Sequence, residues 1–279
     1  MMAKEKPLGR PLGRSMGEQA AARSGVRSDG AAPIWMVLLS FAALLVAWQL
    51  GATLWPTRSF PPPLLVWQTF LGETASGDLP YHLAITLWRV AASFLLAMII
   101  GAAIGIFLGM HRRADQFFNP WLILFLNIPA LVIIVLAYIW FGLNEAAAIG
   151  AVALNKIPNV AVTMREGARA LDPRYAEMAS VYRFGGFDRF RHILMPQLQP
   201  YIAAASRSGI SLIWKIVLVV ELMGRSNGVG FQINLFFQLF DVAAILAYTL
   251  AFVAVMLSIE LMVVQPLERT STRWRRRAA

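Results

Sequence analysis

Long apolar segments, separated by short polar stretches, make up most of the chain after a polar N-terminal region. A helix needs roughly 20 apolar residues to cross the hydrocarbon core of a bilayer. Six segments approach or exceed that length: 33–54, 83–110, 120–143, 146–163, 201–223 and 242–264. Asn155, Lys156 and Pro158 interrupt the fourth segment. The pattern predicts an all-α integral membrane protein with six transmembrane helices.

The same pattern predicts four regions along the chain. Residues 1–32 are polar and rich in Gly and Arg, which is typical of a disordered tail. The segment 33–55 has no charge within its apolar run and no seam of small residues, so we expect a peripheral transmembrane helix. Its apolar stretch is longer than that of a signal peptide. Residues 56–266 form the predicted core, with a polar loop at about 165–200, and residues 267–279 form a basic tail.

Composition supports the membrane assignment. Hydrophobic residues make up 58% of the chain and charged residues only 14%, and the mean hydropathy is +0.60. A water-soluble domain would not tolerate so many apolar residues. The net charge of +10 is spread over loops and tails, which favours contact with anionic lipid headgroups over binding to nucleic acid. The chain has no cysteine, so it cannot form a disulfide.

The positions of Lys and Arg predict the orientation in the membrane. Cytoplasmic loops and tails carry an excess of these residues. They collect in the N-terminal tail, at Arg112 and Arg113 after the second segment, in the 165–200 loop and in the C-terminal tail. The alternate loops contain only Arg58 and Arg225. We therefore expect both termini and the 165–200 loop to be cytoplasmic.

Three glycines in the second segment, Gly101, Gly105 and Gly109, are four residues apart and share one helix face. Small residues at this spacing let two helices pack closely in lipid. The spacing predicts a helix-packing seam, and the alternative is a seam that moves or faces another subunit.

Three charged residues, Lys156, Lys215 and Glu221, lie within predicted transmembrane segments. A charge at that depth is unfavourable unless it is paired or faces water. Each could pair across helices or reach an interface. Alternatively, all three are candidates for a translocation pathway, along which the lysines could draw an anion. The three histidines are scattered at segment boundaries and predict no metal site, and no pairing of a nucleophile with a base indicates an enzyme.

The stretch 172–196, which we call the hairpin, breaks the apolar pattern. Asp172 is placed to cap a helix that begins at Pro173. Gly185 and Gly186 allow a chain reversal with positive φ, and a second apolar stretch follows and ends at Pro196. The pattern predicts an amphipathic helical hairpin, in which Glu177 is expected to cap or pair locally. Such an element can lie among lipid headgroups or dock into a groove of a partner, and the pattern alone leaves both open.

The hairpin resembles the EAA loop of permease subunits of ATP-binding-cassette importers. Glu177, Met178 and Ala179 take the Glu-Ala-Ala positions, with Met178 in place of an alanine, and Met195 and Pro196 match the hydrophobic-Pro pair. FPPPLLVWQTF, NIPALVIIVLAYIWFGLNE and LIWKIVLVVELMGRSNGVG are similar to the nitrate, sulfonate, taurine and bicarbonate branch of that family. The resemblance covers roughly residues 56–275. Arg183 departs from it, since the family has a glycine at that place.

The resemblance implies a type I importer permease that moves a small nitrate-, sulfonate- or taurine-like anion through the cytoplasmic membrane. Its implied partners are a second copy of itself, two cytoplasmic ATPase subunits that bind ATP and Mg²⁺, and an external solute-binding protein. The chain itself contains no GxxxxGK[ST] phosphate loop. The implied ATPase contact consists of hairpin residues: Asp172, Glu177, Ala179, Arg183, Gly185, Gly186, Arg189, Arg191 and Pro196.

A transporter or channel driven by an ion gradient is the alternative function. Such carriers are expected to contain repeated, broken helices with ionisable groups at corresponding positions near the bilayer midplane. No internal repeat is visible in this sequence. The importer permease is therefore the preferred prediction.

Overall fold

The computed structural model describes residues 34–55, 57, 59–264 and 266. Within these residues the chain forms helices and turns and no β-strand, which agrees with the predicted all-α architecture. The two predicted tails, 1–32 and 267–279, lie outside the described residues.

Ten helices follow one another in the described chain. They are α1 (Ile34–Leu54), α2 (Pro63–Ser76), α3 (Asp78–Met110), α4 (Arg112–Asn127), α5 (Ala130–Phe141), α6 (Glu145–Arg169), α7 (Pro173–Val181), α8 (Gly186–Gly224), α9 (Val229–Gln238) and α10 (Val242–Ile259). One π-helical turn, Phe190–Leu194, lies within α8, and another, Glu260–Val264, follows α10. Five of these helices are long and apolar enough to cross a membrane, and α4 with α5 can provide a sixth crossing.

The chain divides into two units, one ending at Trp48 and one beginning at Gln49. In the described part of the first unit, α1 is an uninterrupted apolar helix whose large side chains, such as Leu38 and Leu44, are exposed. The second unit contains the remaining helices and the buried core. The peripheral position expected for residues 33–55 stays a prediction.

Proline and glycine set the limits of α2. The apolar pattern did not predict α2 as a separate helix within residues 56–266. Pro63 occupies the first turn, where a missing N–H costs no hydrogen bond, and Gly77 ends the helix with a φ of 88°. At 14 residues, α2 is too short to cross a bilayer. Tyr248 of α10 donates a hydrogen bond of 2.8 Å to Glu73 and so holds α2 against α10.

The prediction of one continuous helix over 120–143 is wrong. Helices α4 and α5 meet at an angle of 96°, with the break at Ile128 and Pro129. Proline disfavours the α conformation in the residue before it, and Ile128 accordingly has φ −74° and ψ 124°. The fourth segment shows the opposite outcome, because Pro158 lies inside α6 without ending it. Helix α6 also continues to Arg169, so the beginning of the predicted 165–200 loop is helical.

The three glycines bring α3 against α6. A Cβ atom at Gly105 would lie 2.7 Å from the Cβ of Met164, and one at Gly109 would lie 2.7 Å from the carbonyl oxygen of Arg165. At Gly101 the corresponding distance to the carbonyl oxygen of Ile157 is 2.9 Å. The later a glycine comes in α3, the later its contact comes in α6. The two helices are therefore parallel, with their backbones close together.

Helix α8 packs against this pair in the opposite direction. Near its beginning, Ala205 lies in a buried cluster with Val160 and Met164 of α6. Near its end, Val217 packs with Val152, which is closer to the beginning of α6. The other side of α8 meets α10, where the rings of Trp214 and Phe252 are 5.6 Å apart. The core of the second unit is thus built around α3, α6, α8 and α10.

We expect Gly105→Ala to lower the free energy of unfolding by about 1–3 kcal/mol, because the added methyl overpacks the α3–α6 seam. Gly150→Ala is the matched control, since no described atom lies within 4 Å of a Cβ at that position in α6. Thermal unfolding of both purified variants in nanodiscs measures the difference. Equal midpoints for the two variants would contradict the packing role of the seam.

Candidate functional site

An ionic cluster around the buried side chain of Arg89 joins the beginnings of α3 and α6 to the end of α8. We call it the Arg89 cluster, and it consists of Arg89, Glu145, Glu221, Arg225 and Asn227. Arg89 is only 1% exposed, and its guanidinium donates to Glu145 at 2.6 and 2.9 Å and to Glu221 at 2.7 Å. It also donates to the backbone carbonyl of Asn227 at 2.8 Å and to the side chain of that residue. Arg225 donates to Glu145 at 2.5 Å.

Glu221 is fully buried, and its carboxylate accepts three kinds of hydrogen bond. Besides Arg89, the donors are the hydroxyl of Thr86 at 2.9 Å and the backbone N–H of Gly230 at 2.9 Å. Gly228, with a φ of 107°, passes so close that a Cβ atom there would collide with the carboxylate of Glu221. Glycine is therefore required at this position for both its conformation and its size.

His82 and Thr86, one turn apart on α3, hold the segment between α8 and α9. The Nδ1 atom of His82 accepts the backbone N–H of Gly228 at 2.9 Å, and Thr86 accepts that of Val229 at 2.8 Å. Because Nδ1 is an acceptor, the proton of the neutral ring lies on Nε2. The side-chain amide of Gln232 lies 2.7 Å from Nε2 and accepts this proton when its oxygen, rather than its NH₂ group, faces the ring. The GRSNGVG stretch is thus fastened to α3 by backbone and side-chain hydrogen bonds.

Arg89 was not among the residues selected from the sequence, although it lies inside the predicted segment 83–110. An arginine in the middle of a membrane helix costs about 3 kcal/mol unless it is compensated, and this was the signal that could have identified it. Of the two alternatives for Glu221, pairing across helices is the one found, because Glu221 of α8 neutralises Arg89 of α3 in the protein interior. A place for Glu221 on the translocation pathway stays a prediction.

A second ionic cluster lies at the other end of α6. Asp115 of α4 accepts from Arg165 at 3.0 Å and also from Arg169, and Arg165 donates to Asn119 at 2.8 Å. Glu166 accepts from Arg169 at 3.0 Å. Two of the arginines expected in a polar loop therefore connect α6 to α4. Within the described residues, no group of three His, Cys, Asp or Glu side chains is arranged to hold a metal ion.

The hairpin begins as predicted, with Asp172 capping α7. Its carboxylate accepts the backbone N–H of Arg174 at 2.9 Å, and Pro173 is the first residue of the helix. The backbone N–H of Asp172 donates to the side chain of Gln197 at 3.0 Å, which ties the start of the hairpin to α8.

The positive φ of the hairpin lies at Arg183, and the prediction that Gly185 and Gly186 supply it is wrong. Arg183 has a φ of 51°, whereas Gly185 has a φ of −61° and leads directly into α8. The N–H of Phe184 donates to Ala179 at 2.9 Å and that of Arg183 donates to Ser180 at 3.2 Å. These two bonds form a Schellman motif, in which the left-handed position usually holds glycine.

Two further hairpin expectations are corrected. Pro196 does not end a helix, because it lies in the first turn of the segment Met195–Gly224, which continues α8 from its π-helical turn. Glu177 was expected to cap or pair locally. Its carboxylate forms no ion pair or hydrogen bond with any residue that the structure describes, and only its carbonyl accepts a bond, from Ser180 at 2.6 Å.

Much of the apolar surface of the hairpin is exposed. Val181, Tyr182 and Phe187 are 78%, 71% and 71% exposed. Arg189 and Arg191 beside them are also exposed. By contrast, Ala179, which matches the family motif, is buried. The hairpin therefore presents aromatic and basic groups together on its outer surface.

The two intramembrane lysines have different surroundings. Lys156 is 2% exposed, and its ammonium lies 3.5 Å from the hydroxyl of Ser208. Lys215 is exposed, with its ammonium 5.5 Å from the ring centroid of Trp214. Neither forms an ion pair with a carboxylate in the described part of the chain, in contrast to Arg89.

Residues 97–265 match the family model described as "Binding-protein-dependent transport system inner membrane component". This chain belongs to that family. The permease is therefore a multi-pass protein of an inner-membrane importer family, whose members are permease subunits and not themselves enzymes. The function predicted from the sequence is confirmed, and its relatives give no support to a carrier driven by an ion gradient.

Two curated relatives illustrate the similarity. The permease is 32% identical over 202 residues to a Bacillus subtilis protein named as the aliphatic sulfonates transport permease SsuC. The alignment covers 71% of this chain and 73% of that relative. It is 27% identical over 212 residues to the bicarbonate transport system permease CmpB of Synechococcus elongatus. The alignment covers 72% of this chain and 76% of that relative.

A solved structure shares the fold. A crystal structure of an amino acid ABC transporter with histidines matches with a TM-score of 0.52 and 20% identity, over 72% of the permease and 98% of that chain. The arrangement of helices is therefore that of a type I importer permease.

We expect Glu221→Gln to lower the free energy of unfolding by about 3 kcal/mol, because the change removes one partner of a buried ion pair. Glu166→Gln is the control, since its ion pairs are at the surface and such pairs contribute less than about 1 kcal/mol. Thermal unfolding in nanodiscs compares the two variants. Similar losses would show that the Arg89 cluster is not a main determinant of stability.

The hairpin geometry gives a second prediction. Arg183 has a left-handed backbone conformation, which is strained in a residue with a Cβ atom. We expect Arg183→Gly to remove this strain and to stabilise the hairpin by about 1 kcal/mol. Gly186→Val places its side chain where no described atom lies within 4 Å of the Cβ and requires no positive φ, so we expect a small effect. The rate of chymotrypsin cleavage within the hairpin should fall about fivefold in Arg183→Gly, in line with that energy. Faster cleavage of Arg183→Gly than of the unaltered chain would contradict this account.

Proposed function

We propose that the permease forms a homodimer that moves a small nitrate-, sulfonate- or taurine-like anion into the cytoplasm. In this proposal two cytoplasmic ATPase subunits bind ATP and Mg²⁺ and drive the cycle, and an external solute-binding protein delivers the substrate. The observation that carries the proposal is the exposed hairpin, whose aromatic and basic surface joins two long helices of the core. The names of the sulfonate and bicarbonate relatives support an anionic substrate.

The orientation in the proposal follows from the distribution of charge. The hairpin and the exposed pair Arg112 and Arg113, which begin α4, lie at the end where α3 and α6 finish. Because cytoplasmic loops carry an excess of Lys and Arg, we propose that this end and both termini lie in the cytoplasm. The Arg89 cluster and the loop before α9 then lie at the external end.

The hairpin can transmit motion because of how it is attached. Its first arm follows α6 after a short connection, and its second arm is continuous with α8. The hydrogen bond from Asp172 to Gln197 links the two attachments. When the ATPase pair closes on ATP, a displacement of the hairpin is passed to α6 and α8, which both reach the external end. A helix docked in a groove through apolar anchors is a common form of peptide recognition.

The proposed role of the basic residues is to steer association. Arg183, Arg189 and Arg191 form a rim beside the exposed aromatic groups, where they can meet acidic residues of the ATPase. Attraction of this kind raises the rate of association more than the final affinity.

We expect Phe187→Ala to weaken ATPase binding by about 2 kcal/mol, or roughly 30-fold, if Phe187 is an anchor of the interface. Phe237→Ala is the matched control, because Phe237 is similarly exposed, at 65%, but lies on α9 at the opposite end. The tagged permease is purified from its native cells, and the ATPase that accompanies it is quantified by ATP hydrolysis in the eluate.

Two results would overturn the docking role of the hairpin. One is equal ATPase recovery with Phe187→Ala and Phe237→Ala. The other is retention of the ATPase by Phe187→Ala together with reduced binding to vesicles of anionic lipid, which would make the hairpin a headgroup-bound element.

A further inference from the structure

One face of α8 is polar and exposed although the helix crosses the membrane. Ser208, Ser211 and Lys215 are three or four residues apart, so they lie along one side of the helix, and all three are exposed. The hydroxyl of Ser211 donates to the carbonyl of Ser208 at 3.3 Å. We call these three residues the polar stripe. The opposite side of α8 is buried and apolar, as Ile213 and Val217 illustrate.

Contact between the polar stripe and lipid would be energetically unfavourable. Lys215 precedes the end of α8 at Gly224 by nine residues, which corresponds to about 14 Å along the helix axis. This distance exceeds the length of a lysine side chain, so the ammonium does not reach the external interface by extending along the helix. Polar side chains in transmembrane helices face the protein interior or a water-filled space. The stripe therefore indicates the side of α8 that faces the path.

A second positive charge lies behind the stripe. Lys156 of α6 is buried, and its ammonium is 3.5 Å from the hydroxyl of Ser208, which itself donates to Ala205 at 3.2 Å. The carboxylates of Glu145 and Glu221 are engaged by Arg89 at the end of the helices. Among the described residues, no carboxylate neutralises Lys156 or Lys215. A buried ammonium without a counter-ion is unfavourable unless an anion approaches it.

We propose that the polar stripe, with Lys156 behind Ser208, is an anion subsite in the permeation path. Its ligand is a small monoanion with oxygen acceptors, such as a sulfonate. Lys215 attracts and contacts the anion. The hydroxyls of Ser208 and Ser211 turn away from the carbonyls of Ala205 and Ser208, to which they otherwise donate, and donate hydrogen bonds to the oxygens of the anion. Lys156 is a positioning residue, because it acts through Ser208 and adds positive potential. The choice of a sulfonate rests on the proposed function, whereas the subsite itself rests on the geometry.

The absence of cysteine from the chain permits a direct test. The full chain carrying Ser211→Cys is placed in nanodiscs and treated with two methanethiosulfonate reagents, one bearing a sulfonate and one bearing a trimethylammonium group. For each thiol, the labelling rate with the anionic reagent is divided by the rate with the cationic reagent. We expect this ratio to be about tenfold higher at Ser211→Cys than for a small thiol in solution, because cationic clefts concentrate anions. Methanesulfonate should slow the labelling.

Leu250→Cys is the matched control. Leu250 is exposed at 49% within α10, where the residues three and four positions away on the same face are all apolar. We expect slow labelling of Leu250→Cys by both reagents. In the Ser211→Cys chain, Lys215→Gln and Lys156→Met should each reduce the preference for the anionic reagent, and Lys215→Arg should retain it. Arg113→Gln, which removes an exposed charge outside the spans, should leave the preference unchanged.

Three outcomes would overturn the subsite. They are equal relative rates for the two reagents, a labelling rate for Ser211→Cys no higher than that for Leu250→Cys, and a disulfide between copies at position 211 that replaces labelling. Uptake of methanesulfonate by the reconstituted importer is measured separately. Normal labelling without ATP-driven uptake would contradict the proposed function and leave the subsite in place, whereas uptake without the labelling preference would contradict only the subsite.

Discussion

Neutralisation of Arg89 inside an apolar protein is the constraint on which the arrangement of the helices depends. A guanidinium that is 1% exposed must be surrounded by acceptors, and Glu145 and Glu221 provide them from two other helices. Meeting this requirement fixes the beginnings of α3 and α6 against the end of α8. It also brings Asn227 inward, so the loop before α9 has a defined position.

Hydrophobic length predicted the crossings well, because a bilayer demands long apolar helices whatever their tertiary contacts. It did not predict how the third crossing bends, since apolar residues continue on both sides of Pro129 and only the local backbone preference of proline separates α4 from α5. The opposite effect at Pro158 shows that packing between helices can maintain a helix that contains proline. Pairings such as Arg89 with Glu221 depend on three-dimensional contacts that no spacing rule contains.

The hairpin shows why sequence reasoning about turns has limits. Glycine permits a positive φ but does not require it, so the pair Gly185 and Gly186 suggested a turn that the chain does not make there. The Schellman hydrogen bonds keep the turn at Arg183 despite the side chain. Similarly, the sequence identified Lys156 and Lys215 as unusual charges. Only the structure distinguishes the buried lysine from the exposed one and places Ser208 beside the first.

The glycine seam between α3 and α6 has a mechanical consequence. At Gly101 and Gly105 the surface of α3 is backbone, which has no rotamer with which to accommodate a shifted neighbour. Sliding α6 along α3 would bring the side chains of Val160 and Met164 into steric clash with that backbone. The two helices therefore move as one rigid body. We therefore expect a change in the side of the membrane to which the path opens to come from movement of other elements against this block.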